Sequence, residues 1–215
     1  MVDVPWWRVA LDVAVALGTV GAVVVALFGQ AFRSKFFPPK LSLTLAGEFG
    51  EATRVAVVPP EGSGQQPRQE AARYFHLRVE NMRRWSPATA VHVVLLQVEE
   101  PGPDGKLQVR WTGDVPLVWR HNNVFPPYRS VGPDVLADLF SVVKNKWLQL
   151  HTLVIPFNLD IIRRSSTSLV LTVQARATEA DSNILRVRIS WDGGWEDGAQ
   201  EMRRHLKVEV VREAV

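Results

Sequence analysis

Five histidines, His76, His92, His121, His151 and His205, are the side chains best suited to chemistry near neutral pH. None has the HxH or HExxH spacing that would set two ring nitrogens on one metal. His76 and His92 fall at outward or mixed positions of strand-like runs. His151 sits inside the alternating run LQLHTLVI, and His205 follows Arg203-Arg204. His121 stands apart, in an irregular segment with Asn122, Asn123, Asp134 and Asp138. Loops carry functional groups more often than strands do, so residues 112–138 are where a hydrolytic site would lie. Turn stabilisation by Asn and Asp accounts for the same residues without any chemistry. No GxSxG elbow presents a serine, and Gly62-Ser63-Gly64 lacks the lysine and the following helix of a phosphate-binding loop. The absence of cysteine removes thiol catalysis, cysteine-ligated metals and disulfides together. The chain is therefore expected not to be an enzyme, and to need no cofactor and no metal.

Arginine is arranged more suggestively. It occurs as Arg83-Arg84, Arg163-Arg164 and Arg203-Arg204, and alternates as Arg186 and Arg188. A guanidinium binds phosphate in a two-pronged fashion, and Trp85 beside Arg83-Arg84 offers a surface for stacking or for the bilayer. Arg83, Arg84, Trp85, His121, Asn122, Arg186 and Arg188 are thus the candidate contacts for a small anionic ligand or a protein partner. The tryptophans around WDGGW (Trp191, Trp195) and around the turn between Trp111 and Trp119 serve either as core or as a partner surface. Nucleic acid is an improbable partner despite a sequence pI of about 9.5. Of 25 basic and 22 acidic side chains, residues 1–40 hold four and two, which leaves 21 and 20 for residues 41–215. A surface that tracks phosphates needs a basic excess, and the totals contain none.

The excess that exists flanks the element that positions everything else. Val13 to Phe32 is a run of 20 residues without a charge. As a helix it spans about 30 Å, the thickness of a hydrocarbon core. Trp6 and Trp7 precede it and Phe36 and Phe37 follow it, where aromatic rings favour the membrane interface. Pro5 suits a first helical position, and Pro38-Pro39 cannot continue a helix. We divide the chain into a flank at 1–8, a transmembrane helix at 9–32, a juxtamembrane linker at 33–40 and a β domain at 41–215. Arg33, Lys35 and Lys40 lie just after the span, so the positive-inside rule places the β domain in the cytoplasm of a single-pass plasma-membrane protein. Asp12 reads as a hydrated carboxylate at the helix end. The competing reading is a cleaved signal peptide, because Gly29-Gln30-Ala31 has a small-x-small form. Ala10, Ala14, Gly18, Ala22 and Ala26 recur every four residues, a spacing that lets two helices approach closely in lipid, and Thr19 offers a hydroxyl beside them. Self-association through that face is expected.

Beyond Lys40 the period shortens to two. Leu41, Leu43 and Leu45 alternate with polar or small residues, as do Phe75, Leu77 and Val79, and later Leu185, Val187, Ile189 and Trp191. Residues 59–70 and 101–105 are turn-formers. Residues 135–143 suit either a helix or a strand and are assigned to a strand. Nine or ten short strands with no recurring helix between them predict an antiparallel β-sandwich, with an up-and-down barrel as the alternative.

The segment YFHLRVENMRRWSPATAVHVVLLQV resembles a strand–Asn–turn–strand pattern of immunoglobulin-like bacterial adaptor and cell-surface domains. There an asparagine ends one strand and a small residue opens the next, and Asn81 and Ala90 occupy those places here. The resemblance implies an immunoglobulin-like sandwich and by itself no activity. The overall plan is also similar to uncharacterised bacterial membrane proteins and to some membrane-anchored antiviral effectors. Three functions are consistent with these readings. The first is a membrane-anchored, non-enzymatic sandwich that binds a protein or small ligand. The second is a defence-type effector whose helices cluster and perturb the membrane when the β domain senses a ligand. The third is a membrane-tethered hydrolase using the 112–138 segment.

Overall fold

A computed structural model describes residues 5–59, 66–120, 127–131 and 134–211. His121, Asn122 and Asn123 lie outside the described residues. Helix α1, Trp6–Phe36, runs 31 residues and contains the charge-free stretch. Its segment Trp6–Ala26 is long and apolar enough to cross a membrane, and none of it is buried against the rest of the protein; an N-terminal signal sequence shares those properties. Arg33 and Lys35 fall in the last turn of α1. The Thr19 hydroxyl donates to the Val15 carbonyl at 2.8 Å. In the single chain it is thus satisfied within its own helix, as a threonine in a helix can bond back one turn.

After Pro38 and Pro39 the chain enters β1 (Leu41–Leu45) and then β2 (Glu51–Val57) and β3 (Arg68–Asn81). Strands β4 (Ala88–Pro101), β5 (Leu107–Pro116) and β6 (Arg129–Val131) follow. Next come β7 (Val135–Val143), β8 (Trp147–Leu150), β9 (Ile162–Arg163), β10 (Thr167–Arg176) and β11 (Leu185–Trp191). A single turn of helix, α2 (Ala199–Met202), precedes the last strand β12 (Leu206–Val210). One sheet runs β1-β3-β7-β8-β9 with β2 on the other half of β3, and the second runs β12-β11-β10-β4-β5 with β6 beside β4. Every pairing is antiparallel. The expected mainly-β class is therefore observed, and residues 135–143 form a strand rather than a helix.

The alternation read from sequence faces the two sheets together. Leu43, Phe75, Leu77 and Val79 from the first sheet meet Val91, Leu95, Leu171, Val187 and Ile189 from the second in one apolar core. Phe75 and Phe140 stack at its centre with centroids 4.5 Å apart. Asn183 closes one side by bonding both the Leu43 amide and the Leu43 carbonyl, at 2.9 and 3.0 Å. Strands β3 and β4 are consecutive yet belong to different sheets, so residues 82–87 arch across the end of the sandwich that α1 approaches. Strand β8 stops at Leu150, although the apolar residues of the sequence run on to Phe157. Beyond the strand Val154, Ile155 and Phe157 are exposed.

Candidate functional site

Among the described residues, polar side chains converge on the outer face of the first sheet. Along β3 the inward residues Phe75, Leu77 and Val79 alternate with Tyr74, His76 and Arg78. A buried outer position is unusual, and His76 is nevertheless only 8% exposed. It lies beneath Glu51 of β2 and beside the segment 117–120, which crosses from the second sheet to pair with β7. The outward position expected of His76 is observed, but the side chain is buried there. Facing away from the core does not mean facing water when neighbouring side chains, here Asp138 and Glu51, pack around the position.

A bulge in β7 brings the acid. Phe75 pairs with Phe140 and His76 pairs with Asp138, which leaves Leu139 as an extra residue between them. Bulges of this kind redirect side chains and often adjoin functional sites. This one falls where β7 exchanges partners. Residues 140–143 pair with β8, whereas the Asp138 amide donates to Val118 and the Arg120 amide to Leu136. Phe140 consequently points into the core, while Asp138 and Ser141 share the outer face.

In the resulting cluster His76 Nδ1 lies 2.8 Å from Asp138 Oδ1. A carboxylate accepts, so Nδ1 carries a proton and donates it to Asp138. Nε2 is buried and makes no hydrogen bond; its nearest polar neighbour is Glu51 Oε2 at 3.5 Å. Glu51 Oε1 in turn accepts from Arg120 Nη2 at 2.6 Å. Gly50 delivers Glu51 to this place with φ of +63°, and a Cβ there would meet the Phe75 ring at 2.8 Å and the Tyr74 carbonyl at 2.9 Å. Glycine is therefore the residue the turn requires.

Tyr74 stacks on His151 at 4.9 Å and on His76 at 6.2 Å. His151 Nε2 stands 2.9 Å from the Ser141 hydroxyl. Burial holds the His151 pKa below its ordinary value; the nearby Asp138 carboxylate opposes that shift and His76 adds to it. Burial likewise raises the Tyr74 pKa, assisted by Asp138 and opposed by a hydrogen bond with Ser141. His151 and Tyr74 are thus both held neutral, whereas His76 has a carboxylate on each side.

The cluster opens into a cleft of about 290 Å³ lined by Glu51, Thr53, Arg54, Tyr74, His76, Arg120 and Asp138 among others. A neighbouring depression of about 410 Å³ shares Glu51, Tyr74 and His76 with it. Larger depressions beside Ser168 and His205, about 450 Å³, and beside Trp147, about 530 Å³, contain no buried acid or imidazole. We place the site by its buried charge pair rather than by volume. Among the described residues, no group of three or more His, Asp or Glu side chains could hold a metal ion.

Among the described residues, those singled out from sequence lie on separate parts of the fold. Arg83 donates to the Pro38 carbonyl at 2.9 Å, and Arg84 and Trp85 are exposed on the β3–β4 arch. Arg186 lies on β11 of the second sheet, where it reaches Glu99 at 2.5 Å, and Arg188 is exposed two residues further on. Trp119 and Trp191 are core, and Trp111 and Trp195 are half-buried with their ring nitrogens bonded to Phe157 and Asp197. His205 pairs with Asp192 at 2.9 Å on the surface. Asp138, named only as a companion of His121, proves to be the partner of His76.

No family model matches the chain, and no curated protein is similar enough to count as a relative.

Proposed function

We propose that this is a single-span membrane protein whose cytoplasmic β-sandwich binds a small polar ligand in the cleft over His76, without turning it over. The observation that carries the reading is His76 Nε2, a buried ring nitrogen that makes no hydrogen bond, 3.5 Å from the Glu51 carboxylate, on a residue that lines an open cleft. A buried polar atom left unpaired costs about 1–3 kcal/mol. A polar ligand that completes a hydrogen bond to it, as Glu51 shifts aside, recovers that penalty on binding. Arg54 and Arg120 at the rim suit an anionic group on the same ligand. The membrane side of the reading is supported by the length and apolarity of α1 and by Arg33, Lys35 and Lys40 at its end. The immunoglobulin-like reading of the sandwich is supported by Asn81. Its side chain closes the arch by donating to the Ser86 carbonyl at 2.7 Å and accepting from the Arg83 amide at 3.1 Å.

One observation favours a second reading, a membrane-tethered hydrolase. Asp138 orients His76 as an acid orients a general base, and His76 lines a cleft of about 290 Å³. The base is then His76 and not His121. The effector reading, in which α1 helices cluster on ligand binding, uses the same cleft as its sensor.

The experiment is purification of the full chain and its H76N variant from membranes in mild detergent, followed by mass spectrometry of the small molecules each carries. Our reading predicts a compound held by the wild type, depleted at least about tenfold in H76N, which corresponds to about 1.4 kcal/mol, and released chemically unchanged. Release of a converted product selects the hydrolase. Identical small molecules in both samples contradict a site at His76.

A further inference from the structure

The tryptophans are divided in a way that the cleft does not explain. Of eight, Trp6, Trp7 and Trp85 are the exposed ones, at 81%, 48% and 56%. Trp6 and Trp7 begin α1. Trp85 lies far along the sequence, but its ring meets Phe37, just beyond the other end of α1, edge to face with centroids 5.5 Å apart. Exposed tryptophans thus mark both ends of the apolar helix. The 31 residues of α1 extend about 46 Å at about 1.5 Å per residue, close to the about 40–45 Å of a bilayer with its headgroups.

The arch that carries Trp85 is fixed to the helix exit. Ser86 Oγ donates to the Phe37 carbonyl at 2.7 Å, Arg83 Nη1 to the Pro38 carbonyl at 2.9 Å, and the Met82 amide to the Lys40 carbonyl at 2.9 Å. Asn81 holds the arch in shape from below. With its polar backbone committed inward, the arch turns Met82, Arg84 and Trp85 outward. If the hydrocarbon core ends near Phe32, then Phe37 lies about 7 Å beyond it, at the depth of the headgroups. A group in contact with Phe37 is at the same depth. An indole, a flexible thioether and a guanidinium form the combination that an anionic interface accommodates.

We propose that the arch formed by residues 82–87 is a second membrane contact, in which Met82 and Trp85 insert among lipid headgroups and Arg84 pairs with anionic lipid. Arg83 is the positioning residue that ties the arch to the linker. The contact rests on α1 being a membrane span. It holds the sandwich against the bilayer in one orientation rather than on a free tether, and it reassigns Arg84 and Trp85 from ligand binding to lipid.

The absence of cysteine makes single-site labelling clean. The full chain carrying G18C, M82C or K106C, each with a nitroxide, is reconstituted into nanodiscs of phosphatidylcholine and phosphatidylglycerol in equal parts. Collision with oxygen is compared with collision with an aqueous nickel chelate. We expect G18C to be deep in lipid, M82C to be shielded from nickel at headgroup depth, and K106C, on the distal β4–β5 turn, to be fully aqueous. Adding R84E to M82C lowers the docked-to-free ratio about fivefold, the factor for about 1 kcal/mol per basic residue at an anionic surface. M82C as open to nickel as K106C, while G18C remains in lipid, overturns the docking and leaves the span intact. An aqueous G18C overturns the span and the docking together.

Discussion

At the scale of single residues, the cleft depends on an imidazole held between two acids of unequal burial. Asp138 is buried with His76, whereas Glu51 is half exposed and shared with Arg120. Removing the charge of Asp138 as D138N leaves Nδ1 donating to a neutral amide oxygen in place of a carboxylate. We expect a loss of about 1–3 kcal/mol, read as a lower unfolding midpoint of the full chain in detergent; an unchanged midpoint would mean that the pair contributes nothing. His151 gives a prediction in pH. Its folded pKa lies below the ordinary 6.5, so the unfolded chain takes up the proton first on acidification. Its contribution is present above 6.5 and is lost as pH falls through the folded value. H151Q should therefore lose less thermal stability than the wild type between pH 7 and pH 5, whereas parallel losses would show that His151 does not titrate in that way. Neither pair was legible in the sequence. Counting by twos along 135–143 puts Asp138 on the side of Phe140 and away from Ser141, and the extra residue Leu139 reverses that parity. A bulge has no local sequence signature here, since its cause is the change of partner from β8 to residues 117–120.

Elements were easier to read than sites, because their period is set by burial on one face. The alternations at 41–45, 74–80 and 185–191 all became strands with the expected inward residues. The segment from Trp147 to Phe157 was harder, because apolar residues continue past Leu150 into an exposed loop, and composition alone does not distinguish the two. His76 shows the same limit, since its outward position was read from β3 alone and its burial comes from Asp138 and Glu51 on other strands. For α1 the informative pattern is the four-residue series Ala10, Ala14, Gly18, Ala22 and Ala26. Small residues at this spacing permit the close backbone contact that would drive association. We expect G18L combined with A22L to abolish the crosslinked dimer in membranes while expression persists. A dimer that survives both leucines would remove this face from the account.

On the scale of the whole molecule, the proposed topology accounts for the high sequence pI. The β domain is nearly balanced in charge, and the basic excess lies at the exit of α1, where Lys40, the arch and the linker converge. A sandwich fixed there directs its distal turns, among them residues 102–106, away from the bilayer, and leaves the His76 cleft open on a lateral face. Every functional reading offered for the cleft presumes that this domain faces the cytoplasm, so the side of the membrane is the central claim. Its most direct measurement is labelling of K106C with a membrane-impermeant maleimide, in sealed right-side-out vesicles and after permeabilisation. The account predicts no labelling until the membrane is opened, while a cysteine replacing Asp3 is labelled from outside. K106C labelled in the sealed vesicles would contradict it.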